Sequence, residues 1–236
     1  MNSLDVSLYR LLICGLFSLL AMAPAAQNES VSIRQLPALE LDNLVQGRLN
    51  VPDYRGIRES PYLALEYLPG NVRHLEHEYR GLPLRYDTFA DEIVYLHRTE
   101  TGILKVQLTS QYIEYFTLGK RFFVNLDYSR YRETGLRSGY YEVIFEGGIS
   151  LLAKRYADLE HEDAIPYFKQ RTDWILVKDG QAHRVRNKKT LVKAIGDQYR
   201  KPVSTFLRKQ LIVLRKAGDA QWMQVASHLN TLLQSN

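Results

Sequence analysis

The hydrophobic pattern divides the chain into three regimes. Residues 11–23 (LLICGLFSLLAMA) form one uncharged run. From about residue 60 to 187, apolar residues recur in short runs of period two between turn-forming residues, the signature of strands. After Asn187 the apolar spacing becomes helical. The firmest hairpin signals are four. Residues 92–98 and 103–108 flank Thr99-Glu100-Thr101-Gly102; residues 112–118 and 121–126 flank Gly119-Lys120; residues 140–146 and 149–156 flank Gly147-Gly148; residues 174–178 and 181–186 flank Asp179-Gly180. The last is the strongest, and Gly147-Gly148 is expected as a primed two-residue turn because glycine accepts positive φ.

Weaker signals precede these. Residues 62–68 predict a strand closed by a Pro69-Gly70 turn, and residues 72–79 predict the next. Residues 82–86 include Pro83, which points to an edge strand or a strand start. Residues 128–139 read as a long exposed loop, and residues 158–163 as an acidic, solvated stretch. In the helical part, Leu191, Val192 and Ile195 mark one short helix, and Val203, Phe206 and Leu207 a second. A third begins at Asp219 as N-cap and buries Trp222, Met223, Ala226, Leu229 and Leu233. The sum is an α+β fold: a mostly antiparallel β meander, as a curled sheet, barrel or sandwich, followed by two or three short C-terminal helices. It forms a single domain over residues 26–236, with the β-rich body at about 60–187 and the helical part at 188–236.

Thirteen uncharged residues are too few to cross a bilayer, which takes about 20, but they suit the hydrophobic region of a secretory signal peptide. Ala23-Pro24-Ala25 supplies small residues at the positions that a signal peptidase reads, so residues 1–25 are expected to be removed. The only cysteine, Cys14, lies in that run, preceded by Ile13 rather than the small residue that lipidation requires. The mature chain then has no disulfide and no thiolate metal site, and its core must hold it together unaided. No second long apolar run follows, so no transmembrane helix is expected in the mature chain.

Charge changes the picture more than composition does. The net charge is +5, but residues 181–216 carry eleven Lys and Arg against the single acid Asp197, leaving the remainder acidic. An anion-binding site is therefore anticipated on Arg184, Arg186, Lys188, Lys189 and Lys193. Its partner would be an envelope protein or an anionic envelope component: lipid headgroups, lipopolysaccharide or acidic polysaccharide. The competing reading is a solvated helix face docked on the acidic remainder. With an export signal, no nucleic-acid partner is expected.

The other chemistry-bearing residues form no motif. His74 and His77 lie near Glu76 and Glu78, but on one strand residues three apart face opposite ways, so they share an ion only if the segment bends. Glu142 and Glu146, or Asp87 and Asp91, would lie about 13 Å apart on a strand, too far for a glycosidase pair. The aromatic set Tyr112, Tyr115, Phe116, Phe122, Phe123, Tyr140 and Tyr141 would serve a ligand cavity or, more simply, a core. No G-x-S-x-G and no glycine-rich phosphate loop is present. No catalytic, cofactor-binding or metal residue is assigned, and no cofactor is implied.

Several stretches resemble a family of uncharacterised, signal-peptide-bearing exported proteins from Bacteroidota. They are Ser60-Pro61-Tyr62-Leu63; Leu84-Arg85-Tyr86-Asp87 with Asp91-Glu92-Ile93; Gly139-Tyr140-Tyr141-Glu142-Val143; Gly147-Gly148 with Leu151-Leu152; and Val177-Lys178-Asp179-Gly180 before a lysine-rich helix. The resemblance implies export from a Gram-negative cell, to the periplasm or outer envelope, and no activity. The leading expectation is a non-enzymatic binding or scaffolding module of the envelope. The alternatives are a periplasmic hydrolase with a site assembled from distant residues and a carrier of lipid or another amphipathic ligand. Intact-mass measurement of the secreted protein is expected to give a mature N-terminus after Ala25; a form that still begins at Met1 would defeat the export reading.

Overall fold

The structure is a computed structural model and describes residues 31–32, 47–50, 52 and 54–234. The predicted leader and most of the arm that follows it lie outside the described residues. Twelve strands form one sheet: β1 (Val31–Ser32), β2 (Arg48–Leu49), β3 (Leu68–His74), β4 (His77–Asp87), β5 (Glu92–Thr99), β6 (Gly102–Gln107), β7 (Ile113–Leu118), β8 (Arg121–Asn125), β9 (Tyr140–Glu146), β10 (Ser150–Glu162), β11 (Ile165–Lys178) and β12 (Gln181–Val185). Three helices follow: α1 (Lys188–Ile195), α2 (Arg200–Lys209) and α3 (Asp219–Gln234). The class is α+β, as the pattern predicts.

The strand order is β12-β11-β10-β9-β8-β7-β3-β4-β5-β6-β2, antiparallel throughout, with β1 added in parallel beside β4. The chain lays down β3 to β6 as one meander. It then returns to the free side of β3 with β7 and meanders the other way to β12. The sheet is open but rolled. Strands β4 and β9 stand four places apart, which in a flat sheet is about 19 Å, yet the rings of Tyr86 on β4 and Tyr140 on β9 are 6.1 Å apart. Inside the roll Tyr86, Phe116, Phe123 and Tyr140 pack together, and the cross-strand pair Phe116–Phe123 stacks at 4.6 Å. Such pairs add to the burial of their area.

Strands β9 to β11 are covered on both faces. Ile144, Leu151, Ala153, Trp174 and Leu176 meet the helices. Tyr141, Leu152, Ile175 and Val177, one residue out of phase, meet Leu126 and Tyr131. The segment expected as an exposed loop is thus a cover: Tyr131 is buried and donates its hydroxyl to Glu146 (2.8 Å).

Several local expectations change. Pro69-Gly70 is not a turn but part of β3. A Cβ at Gly70 would sit 2.1 Å from the Thr117 carbonyl oxygen, so the glycine serves close approach to β7 at a bulge between Gly70 and Val72. Pro83 lies in a central strand, between the step where β1 leaves β4 and the step where β5 joins it, so no ladder bond is lost. Gly147 and Gly148 do not adopt positive φ; the Gly148 N–H instead bonds Asn230 Oδ1 of α3 (2.8 Å). Asp179-Gly180 makes the expected hairpin turn and takes the primed form, with φ of 50° and 73°.

The acidic stretch 158–163 is mostly strand: β10 runs to Glu162, paired with β11 along its length. Its charges are met by Arg171 on Asp158 (2.6 Å) and Glu160, by Lys169 on Glu160 (3.0 Å) and by Arg58 on Glu162 (2.7 Å). In α3, Val225 joins the buried stripe and Met223 faces outward.

Asp219 is the first residue of α3 rather than its cap, and its carboxylate ties the helix to the sheet. Arg121 donates through Nε and Nη2 to both oxygens of Glu142 (2.7 and 2.6 Å). Arg155 donates Nε to Glu142 Oε2 (2.7 Å) and Nη1 to Thr172 Oγ1 (2.9 Å), and its Nη2 lies 2.9 Å from Asp219. Glu142 is 4% exposed. Breaking a buried pair from one side leaves an uncompensated charge and costs about 3 to 5 kcal/mol. Glu142→Gln is therefore expected to lower the unfolding free energy by about 3 kcal/mol in urea titration at pH 7. A loss under about 1 kcal/mol would show that Asp219 and solvent satisfy both arginines.

Candidate functional site: a basic cleft on the C-terminal helices

The helices spend their apolar sides on the sheet. Leu191, Val192 and Ile195 of α1, Val203 and Leu207 of α2, and Trp222, Val225, Ala226 and Leu229 of α3 are buried, and Trp222 stacks on Trp174 at 5.1 Å. α1 starts with a capping box, in which Thr190 N–H donates to Asn187 Oδ1 (3.0 Å) and Asn187 N–H to Thr190 Oγ1 (3.1 Å). That cap fixes Lys188 at the rim of a cleft of about 520 Å³, whose other cations are Arg208 and Arg215 and whose apolar wall includes Leu207, Leu211 and Val213.

The segment between α2 and α3 shapes this cleft. α2 ends with Leu211 N–H donating to Arg208 O (3.2 Å) and Ile212 N–H donating to Leu207 O (2.9 Å). This is a Schellman ending, with Leu211 in the left-handed position at φ 54°. Beyond it the side chains alternate: Leu211 and Val213 are 86% and 59% exposed, while Ile212 and Leu214 are buried.

Among the described residues, no carboxylate lies within 4.0 Å of the charged groups of Arg186, Lys188, Lys189, Lys193, Lys201, Arg208, Lys209, Arg215 or Lys216. All nine residues are exposed. Arg184, by contrast, is paired with Asp173 on β11, and Arg200 with Asp197 (2.6 Å). Of the five cations picked out in the sequence, only Lys188 lines the cleft. Arg186, Lys189 and Lys193 are exposed and unpaired outside it. Sequence reasoning missed Arg208 and Arg215 as its partners because they lie 20 and 27 residues downstream and join Lys188 only through helix packing.

The remaining candidates are held by their own neighbours. His74 and His77 face each other across the β3–β4 hairpin, so the segment does bend, but no group of three or more ligating side chains converges among the described residues. Asp87 accepts from Tyr54 OH (2.6 Å) and from two backbone N–H groups. Asp91 accepts from Tyr86 OH and from Lys154 Nζ (2.6 Å). Of the aromatic set, Phe116, Phe123 and Tyr140 fill the roll, and Tyr141 packs on Leu126 and Tyr131. Tyr115 and Phe122 pair at 5.4 Å, and Tyr112 packs edge-on against His74.

No protein-family model, curated protein or solved structure matches the chain. The functional reading therefore rests on the chain's own geometry.

Between α2 and α3, His228 stacks on Phe206 at 3.9 Å, with Nε2 buried and unpartnered among the described residues. Burial pushes the pKa of His228 below its ordinary 6.5. Burial also lowers that of His74, and His77 opposite adds to the effect. The unfolded chain thus binds these protons at a higher pH than the native fold does. The stability contributed by their neutral forms is complete above about pH 6.5 and is lost as pH falls below it. Urea midpoints measured from pH 8 to 5 are expected to fall through this window. The fall should be shallower in His228→Leu and His74→Leu; identical slopes in the variants would exclude these histidines as its source.

Proposed function

We propose that the protein is an exported binding or scaffolding module of the cell envelope that uses the basic face of its C-terminal helices to hold an anionic partner. The observation that carries this reading is the convergence of Lys188, Arg208 and Arg215, all unpaired among the described residues, around an apolar-walled cleft. Nine exposed cations with no carboxylate within 4.0 Å among the described residues repel one another on one covalent segment. Cations beside an apolar wall suit an anion with an apolar body. Export is supported by the uncharged run 11–23 and by the resemblance to exported Bacteroidota proteins.

Two observations weigh against the alternatives. The carrier reading asks for an apolar cavity inside the sheet, where the rings of Tyr86, Phe116, Phe123 and Tyr140 already lie 4.6 to 6.1 Å apart. The hydrolase reading asks for converging acids, whereas Glu142, Asp87 and Asp91 are each engaged by a separate set of donors.

Retention of the purified protein on immobilised dextran sulfate tests the reading. A basic lateral cation contributes about 1 kcal/mol near an anionic surface. Combining Lys188→Glu with Arg208→Glu is therefore expected to weaken retention at least about tenfold at low salt, and added salt to release the native protein. Arg98→Glu with Lys105→Glu, the same change of net charge on β5 and β6, is expected to have little effect. Equal losses in the two variants would overturn the assignment to the cleft.

A further inference from the structure

Leu211 has the highest exposure, 86%, of the large apolar side chains that stand out from the described surface, and it occupies a backbone position that favours glycine. Its φ of 54° lies in the left-handed region, where a β-carbon crowds the backbone. The apolar contact that accompanies a Schellman ending is already supplied by buried Ile212 against Leu207. At 86% exposure the Leu211 side chain adds little to the buried core, and glycine would suit its backbone better.

Its surroundings identify the chemistry of the partner. Val213 projects beside it, and Arg208, Lys209, Arg215 and Lys216 flank the pair with no carboxylate partner among the described residues. We propose that residues 208–216 dock the protein on an anionic phospholipid surface: the cations meet headgroup phosphates, and Leu211 and Val213 enter the acyl boundary. This rests on the anionic-partner reading above and names the partner. A lipid surface fits better than a protein. Two exposed aliphatic side chains flanked along the chain by four exposed cations match the two signals, apolar insertion and basic charge, that reversible membrane attachment requires. A protein interface would centre on buried aromatic or arginine anchors over a broad patch.

Co-sedimentation of the purified protein with vesicles tests this. The protein is expected to bind vesicles of phosphatidylglycerol mixed with phosphatidylcholine and to ignore phosphatidylcholine alone. Leu211→Gly is expected to weaken binding about tenfold or more, with an unchanged or raised urea midpoint. Leu211→Trp is expected to gain a fluorescence signal quenched by brominated acyl chains. Binding of Leu211→Gly equal to that of the native protein, or a tryptophan that brominated chains do not quench, would overturn insertion while leaving the electrostatic reading in place. Retention on dextran sulfate without binding to anionic vesicles would make the partner a non-lipid polyanion or an acidic protein and would also overturn it. Absence of both would remove the proposal and the function it rests on.

Discussion

The paired stretches 151–153 and 174–177 at the base of the β10–β11 hairpin are apolar on both sides, and a sheet segment buried on both sides needs two covers. Residues 126–131 supply one and the helices the other. Leu191, Val192 and Ile195 of α1 and Val203 and Leu207 of α2 are buried in one cluster with Trp174 and Leu176, and the long cationic side chains of those helices are left on the outer surface. The positive face is a consequence of the packing. Among the described residues nine of its cations have no carboxylate within 4.0 Å, and the acidic strand end of β10 is met instead by cations on β11.

The same economy holds inside the roll. Once Tyr86 and Tyr140 approach to 6.1 Å, backbone and side chains crowd where β9 comes close to the β4–β5 turn. Gly139 carries this crowding: a Cβ there would sit 2.2 Å from Asp91 Oδ2, and its φ is 125°. The glycine leaves room for the Asp91–Lys154 ion pair, which joins the β4–β5 turn to β10 across the roll. On the opposite face of β10, the neighbouring residue Arg155 does the corresponding task for α3 through Asp219. In a chain with no cysteine among its described residues, these charge-assisted contacts position the layers, while apolar burial supplies most of the stability.

The readable parts of the fold were those whose cause is local. Asp179-Gly180 and Gly119-Lys120 specify turns through their own backbone freedom. The misread parts depend on residues distant in sequence. Gly70 answers to Thr117, and Pro83 is tolerated because β1 and β5 leave a gap beside it. Residues 158–163 are largely exposed, as their acidic pattern suggests, but their pairing with Lys169 and Arg171 follows only from laying β11 opposite. The site divides in the same way. The excess of cations was visible in composition, and Lys188 with it, but Arg184 is quenched by Asp173, and Arg208 and Arg215 join the cleft only once α1 and α2 are packed. No pattern of hydrophobicity marks Leu211, because a leucine after a helix reads as core until its neighbours Ile212 and Leu214 are seen to fill that role.

Charge and apolar insertion then divide the work at the proposed lipid surface by range. The field of the unpaired cations extends about one Debye length, roughly 8 Å in physiological salt, so it gathers and orients the protein before contact. Leu211 and Val213 act only within a few ångströms, where acyl chains replace water. Either alone holds weakly: screened charges exchange with counter-ions, and two aliphatic side chains gain too little area. Placing both on one short segment, stiffened by the Schellman hydrogen bonds of α2 and anchored beneath by Ile212 and Leu214, lets the apolar pair arrive already projected. The left-handed strain at Leu211 is then the local cost of aiming that side chain outward.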